Sequence, residues 1–547
     1  MRNLKYVFLL ASLICLSCKK EKETHKKPKL VVGVVIDQMR YDYLTRYYDR
    51  YGNDGFKRLL KDGFSLENAH YNYIPTYTAV GHASIYTGTT PDMHGIIGNW
   101  WYDKYVKKSI YCVTDSTYTT IGSESKYGKR SPYRLYTTTI TDQLRLAQNM
   151  KGKTIGVAIK DRSSILPAGH TATAAYWFDN TRESKVITSS FYMDELPNWV
   201  KEFNNSKPAD AYTSKPWETL YDINTYTSSL PDNNPFEETF KGEKTPTFPH
   251  DLPRLKEQNW GNGIIKETPF GNSITLDLVK AAILGEDLGK TGYTDFLAIS
   301  FSSTDYVGHR YGPDAIETED TYLRLDKDLA DLFTFLDNEV GNGNYTLFLT
   351  ADHAAAQVPA YLESIRIPAQ YFDSKGFKQF MKDVCTKHFK SGNLIENISN
   401  HQIFLNKKEL ERLQLSSNQV SQVLADEAIN FNGIYKAVTA RTMQTINFNR
   451  GILRTLQNGY NQKFSGDVLL IPNPASITGH RNGGTTHGSG YSYDTHIPMI
   501  FYGNGIKKGS SSKRYEIIDI APTLSNLLQI EFPNGSTGAI IHEVLSE

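Results

Sequence analysis

Hydrophobic positions along this chain follow two alternating rhythms. Residues 30–36 (LVVGVVI) are apolar throughout and mostly β-branched, without polar alternation. That pattern predicts a strand covered on both faces, as in a parallel sheet. Runs 295–301 and 345–350 share the character, and 154–160 and 498–502 are shorter versions of it. Between them apolar residues return at helical spacing. Phe56, Leu59 and Leu60 mark 51–63, and Leu144, Leu146 and Ala147 mark 139–150. Further helices are predicted over 273–284, 315–339 and 517–528. Strands alternating with helices predict an α/β fold.

Two stretches break the rhythm. Residues 189–260 are rich in Pro, Asn, Thr, Trp and Tyr, and residues 368–472 turn mixed and polar. Both read as insertions over the core, the second as a lid. The core then comes in three pieces, 30–188, 261–367 and 473–547.

The first residues read as targeting, not fold. Arg2 and Lys5 precede an apolar run, 6–16, too short to span a bilayer. Ser17-Cys18 ends it, so 1–18 resembles a bacterial lipoprotein signal. Cys15 stands where such signals usually carry Leu, which keeps simple cleavage and release as the alternative. The charged 19–29 reads as a tether. An exported protein is expected, periplasmic or tethered to the outer membrane through lipid at Cys18, with no other contact with a membrane.

Composition adds exclusions. In 547 residues, 39% are hydrophobic and 22% charged, as in ordinary globular proteins. A net charge of +1 gives no electrostatic basis for a nucleic-acid polymer as partner. The 35 tyrosines predict an amphipathic aromatic surface. Beyond the signal only Cys112 and Cys385 remain, which either pair or stay as buried thiols.

The chemistry gathers at strand ends. Asp37 follows 30–36, Asp305 follows 295–301, and Asp352-His353 follows 345–350. A single Asp there is most often a turn or helix cap. Three, with His309 four residues after Asp305 and His353 beside Asp352, fit a two-metal hydrolase better. In open α/β sheets, ligands bind beyond the carboxyl ends of strands. The Gly-rich turn Gly483-Gly-Thr-Thr-His487-Gly-Ser-Gly490 exposes another imidazole. Mixed Asp and His ligation suits Zn²⁺ rather than Mg²⁺. Thr78, expected as the N-cap of a helix starting near Ala79, lies where free backbone N–H groups favour an anion.

Together these motifs resemble the alkaline phosphatase superfamily of two-zinc hydrolases. The matching elements are strand–Asp37, Pro75-x-x-Thr78, Gly88-x-x-Pro91-x-x-His94-Gly95 leading to Gly98-Asn99, Asp305-x-x-x-His309, Asp352-His353, Thr486-His487-Gly488 and the late Asp519-Ile-Ala-Pro-Thr-Leu524. The resemblance implies a central, mainly parallel sheet between helices, with insertions over the site. It also implies two zinc ions, one held by Asp305, His309 and His487. Asp37, Asp352 and His353 would hold the other, which also activates Thr78 as nucleophile. Asn99 would donate to a phosphoryl oxygen, while His82 and His94 would serve structure.

Two branches share Thr78 and Asn99: phosphodiesterases and phosphate-irrepressible monoesterases. A monoester carries more charge and benefits from extra fixed cations. Lys160-Asp-Arg162, just beyond 154–160, resembles the Lys-x-Arg element of the monoesterases. Arg can grip two oxygens, and Lys adds a compact charge. Lys160 would also take the place of a magnesium site, so no third metal is expected. The reading is a monomeric phosphomonoesterase of broad range, acting on small phosphate monoesters through phospho-Thr78. Its alternatives are a diesterase and, from another class, a surface glycan-binding lipoprotein.

Overall fold

The computed structural model describes residues 27–479 and 483–546. The signal segment and most of the tether lie outside them.

An eleven-stranded sheet forms the frame. Its centre is five parallel strands in the order Tyr345–Thr350, Leu30–Ile36, Asp295–Phe301, Thr154–Ala158 and Ala174–Phe178. Every residue of these five is buried, which explains runs without polar alternation. Val34 pairs with Leu349 on one side and Ile299 on the other. Burying such a side chain contributes roughly 1.5–3 kcal/mol, so this core anchors the fold. Gly33 sits where a Cβ would meet the Tyr86 hydroxyl at 2.3 Å, so a helix packs directly on the central strand.

Antiparallel strands close both sides. Met499–Gly503 pairs with Tyr345–Thr350, then Phe64–His70 with Met499–Gly503. Val186–Ser189 extends the other edge beyond Ala174–Phe178. The sheet is therefore mainly parallel and mixed at its margins, in a fold with helices on the sheet.

Element ends follow local chemistry. The helix predicted over 51–63 spans Phe56–Asp62, because Gly55 forms its N-cap. That over 139–150 spans Ile140–Ala147, capped by reciprocal bonds between Thr139 and Asp142. The long helix spans Ile316–Leu336. The closing strand starts at Met499 and not at 498, since Pro498 has no N–H to give.

A second apolar cluster, with Phe377, Met381, Ile403, Val420, Leu424 and Val468, packs on a four-stranded antiparallel sheet. Its strands run in the order Ile395–Ser399, Gln402–Leu405, Val468–Pro472 and Ile434–Thr439. Residues 400 and 401 join the first two, both with left-handed backbone.

One expectation from composition changes and another is decided. Tyr47, Tyr71, Tyr73, Tyr86, Tyr176, Tyr311, Tyr322 and Tyr345 are among the largest fully buried side chains. Much of the tyrosine content therefore builds the core and not a surface. Cys112 and Cys385 are both buried free thiols, and they belong to the two different apolar clusters, which settles their pairing.

Candidate metal centre and active site

Four neighbouring strands deliver the chemistry at one edge of the sheet. Asp37 directly follows Leu30–Ile36, Asp352 and His353 follow Tyr345–Thr350, Asp305 follows Asp295–Phe301, and Lys160 follows Thr154–Ala158. Parallel strands end together, so residues far apart in sequence converge.

The histidines are oriented by backbone carbonyls. The Nδ1 atoms of His309, His353 and His487 lie 2.8, 3.0 and 2.7 Å from the carbonyls of Thr485, Ala354 and Thr76. A carbonyl only accepts, so each Nδ1 carries a proton and each ring turns its Nε2 inward. His353 and His487, lowered by burial, present a lone pair there, whereas at His309 burial is outweighed by Asp305, which raises it above its ordinary value. The His353 and His487 rings stack at 3.4 Å.

Two sets of acceptors result. His309 Nε2 and His487 Nε2 lie 3.1 and 3.7 Å from Asp305 Oδ1. His353 Nε2 lies 3.5 Å from Asp37 Oδ1 and 3.6 Å from Asp352 Oδ2. Those last two oxygens are buried without a hydrogen-bond partner. Lone pairs pointing at one another at such distances repel unless a cation sits among them. The residues therefore fit metal ions of the kind that take imidazole nitrogen and carboxylate oxygen. The ligand atoms converge as Asp305, His309 and His487 and as Asp37, Asp305 and His353, with Asp305 common to both and Asp352 beside the second.

Charge supports the fit. Burial, reinforced by Asp305 and Asp352, pushes the Asp37 carboxyl well above its ordinary value. Asp352 rises to about 7 by burial, against the pull of Lys160. Burial lowers His353 well below its usual value and His487 to about 3, leaving neutral imidazoles. Asp305 behaves oppositely: burial would raise it, but His309 and Lys160 hold it well below.

Lys160 is 4% exposed, and its ammonium donates to Asp37 Oδ2 at 2.6 Å and Asp305 Oδ2 at 2.5 Å. Two of its three N–H groups are thus committed to carboxylates. Gln38 is the residue that sequence reasoning missed. Its backbone N–H donates to Asp352 Oδ1 at 3.1 Å and its side chain to Asp305 Oδ1 at 2.7 Å, so it ties both sets together. Its position directly after Asp37 was the available signal.

Thr78 is the first residue of helix Thr78–Thr87, and extended Tyr77 takes the N-cap position expected for Thr78. One position makes no difference to the N-terminal placement. Thr78 Oγ1 lies 3.5 Å from His353 Nε2. Asn99 Oδ1 accepts from the Ala79 N–H at 2.8 Å, which satisfies one free donor of the helix. That bond fixes the amide, leaving the Asn99 Nδ2 protons available to another acceptor.

Arg162 is placed differently from Lys160. Its Nη1 donates to the Tyr111 hydroxyl at 3.1 Å, its backbone N–H to Asp161 at 2.7 Å, and its Nε is buried without a partner. His82 Nδ1 donates to the Thr78 carbonyl at 2.9 Å, and His94 Nε2 meets Ser84 Oγ at 2.9 Å. Both are fully buried struts of the Thr78 helix.

A family profile, type I phosphodiesterase/nucleotide pyrophosphatase, matches residues 31–494. The chain is 47% identical to a Myroides odoratus protein named calcium-transporting ATPase, over 96% of both chains. It is 46% identical to alkaline phosphatase PafA of Elizabethkingia meningoseptica, over 95% of both. Against alkaline phosphatase PhoV of Synechococcus elongatus the identity is 45%, over 98% of both. The crystal structure of PafA superposes with a TM-score of 0.92 at 45% identity, covering 95% of this chain and 99% of that one. No helix among the described residues is long and apolar enough to cross a membrane. By profile, sequence and fold alike, the chain belongs to the type I phosphodiesterase/nucleotide pyrophosphatase family, within the alkaline phosphatase superfamily.

Proposed function

We propose that this phosphoric monoester hydrolase is an exported two-zinc enzyme that cleaves a broad range of small phosphate monoesters through a phospho-Thr78 intermediate. The observation that carries the reading is the pair of carboxylate–imidazole sets, both within one site whose edge is Thr78 Oγ1.

Asp305, His309 and His487 would hold one zinc, and Asp37, Asp352 and His353 the other; bound there, zinc supplies Lewis-acid stabilisation and a lowered hydroxyl pKa. Thr78 Oγ loses its proton to solvent and forms a bond to phosphorus as the bond to the leaving oxygen breaks; that oxygen departs with the electron pair and takes up a proton from solvent. Water then attacks phospho-Thr78 from the opposite face, restoring Thr78 and releasing inorganic phosphate. Two inversions give net retention at phosphorus.

The remaining residues stabilise charge. Asn99, fixed by Ala79, offers its Nδ2 protons to a phosphoryl oxygen. Lys160 has one N–H beyond those given to Asp37 and Asp305, and Arg162 has its unpartnered Nε. Such preorganised donors act best in a buried site. A monoester dianion gains more from two extra cations than a diester does.

The second reading is a diesterase, favoured by the description of the family profile. Lipid attachment at Cys18, a monomeric state and a lid formed by 368–472 belong to the same proposal. The deciding experiment assays zinc-replete protein on an aryl phosphate and a bis-aryl phosphate side by side, with metal analysis. Strong diester preference would reverse the branch assignment. Arg162→Ala should weaken monoester hydrolysis far more than diester hydrolysis, and Thr78→Ala should remove the covalent phosphoenzyme. Fewer than two metals per chain and no hydrolysis after zinc addition would favour the glycan-binding reading.

A further inference from the structure

Tyr306 stands between the catalytic centre and a second cavity. Its ring centroid lies 4.9 Å from the Lys160 ammonium and 5.4 Å from the Lys266 ammonium. The same ring lines a cavity of about 310 Å³ together with Tyr127, Phe178, Asp179, Trp260 and Lys266. That volume is at the lower end of the range for small-ligand pockets, roughly 300–1,000 Å³.

Three features of this cavity have no account in the catalytic site. Asp179 is 3% exposed. Its Oδ1 closes a turn, accepting from the Thr181 hydroxyl at 2.7 Å and the Lys185 N–H at 3.2 Å. Its Oδ2 is buried without a hydrogen-bond partner. Lys266 is half-buried, and among the described residues its contact is the Tyr306 ring, with no carboxylate. Trp260 is 69% exposed and has a φ of +67°, a conformation that bulky side chains rarely adopt. An indole held out to solvent by a strained backbone is the kind of outlier that accompanies ligand clamps.

These features restrict the occupant. The Asp179 oxygen needs a hydrogen-bond donor, and a free anion such as phosphate brings like charge to the carboxylate and is repelled. The Lys266 ammonium needs an acceptor. The electron-rich faces of Trp260 and Tyr306 suit an apolar or C–H-bearing surface. A ring carrying several hydroxyls meets all three demands, because each hydroxyl both donates and accepts while the ring C–H groups lie against an aromatic face.

We propose that this cavity binds a monosaccharide-class polyol, held by Asp179 Oδ2 and Lys266 Nζ against the rings of Trp260 and Tyr306. The assignment rests on the cavity alone and is independent of the monoesterase reading.

The experiment titrates the full-length protein with D-glucose, D-ribose and inorganic phosphate, following tryptophan fluorescence and heat. A saturable response to at least one sugar is expected, at roughly millimolar affinity. It should weaken by roughly tenfold or more in Asp179→Asn and in Lys266→Met, each removing one polar contact. Aryl phosphate turnover should be unchanged in both variants. Lys266→Met keeps the packing on Tyr306, so a loss there is not a folding defect. No saturable response to either sugar, sugar affinity unchanged in both variants, or a phosphate response that is lost in Lys266→Met would each overturn the assignment.

Discussion

Asn400 donates from Nδ2 to the carbonyl of Trp100 at 2.6 Å, across 300 residues of sequence. The same Nδ2 lies 3.0 Å from where a Cβ on Gly98 would stand. The tip of the four-stranded sheet thus holds Trp100 and leaves no room for a side chain at position 98, the two neighbours of Asn99, while Ala79 fixes the Asn99 amide. Asn400→Ala is predicted to lower kcat/KM by roughly tenfold, the scale of one lost hydrogen bond. In an Asn99→Ala background the same change should cost almost nothing, because a positioning residue has nothing left to position. An equal loss in both backgrounds would place its effect elsewhere.

Gly81 is the point where the Thr78 helix meets the carboxylate loop. A Cβ there would stand 2.1 Å from the Asp352 carbonyl oxygen, and backbone cannot swing aside. Gly81→Ala should cost about 1–3 kcal/mol of stability, as overpacking does. It should cost more in rate, about a hundredfold, because it separates Thr78 from Asp352 and His353. Thermal unfolding and kinetics on one preparation test both; wild-type turnover in a destabilised variant would mean that the separation is not critical.

Chelation should destabilise the protein as well as silence it. The set around His353 leaves Asp37 Oδ1 and Asp352 Oδ2 buried and unpaired. A chelator should therefore lower Tm and zinc should restore it, with about 4 kcal/mol at stake when zinc is a thousandfold above Kd. Gln38→Ala should weaken zinc affinity by roughly 10–100-fold, because Gln38 bridges Asp305 and Asp352. Unchanged Tm after complete metal removal would count against resident ions.

His250, whose ring packs 5.6 Å from that of Tyr311 at the end of the Asp305 helix, supplies a separate pH signature. It is fully buried, with Nδ1 2.9 Å from Glu243 and Nε2 3.2 Å from Glu317. Burial pulls its pKa down, but the two carboxylates win and raise it from 6.5 to about 9. A raised value means that the folded state binds the proton more tightly. The contribution, on the order of 3 kcal/mol, is complete below pH 6.5 and is lost as pH rises through about 9. Glu237, lifted to about 10 by burial and by Glu317, faces the same cluster, as does Asp232. The measurement is the difference in stability between wild type and His250→Gln from pH 6 to 10. That difference should shrink with pH, and a constant one would show that His250 is not charged.

The sequence by itself determined the sheet and where most of the candidate metal-ligating groups stand on it. Unbroken apolar runs can only be satisfied by burial on both faces, and parallel strands bring the residues just beyond their carboxyl ends to one edge. Asp37, Asp305, Asp352 and His353 were therefore legible from position alone, Thr78 from helix capping and His487 from its Gly-rich turn, and the family motifs added Asn99. Only the tertiary structure decided the rest, because those facts lie in contacts that no local pattern encodes. It chose the Thr485, Ala354 and Thr76 carbonyls that fix which ring nitrogen faces inward. It brought Lys160 onto Asp37 and Asp305, made Gln38 the bridge, and set Asn400 against the Asn99 loop. It also buried many of the tyrosines, since composition counts rings but packing decides which of them meet water.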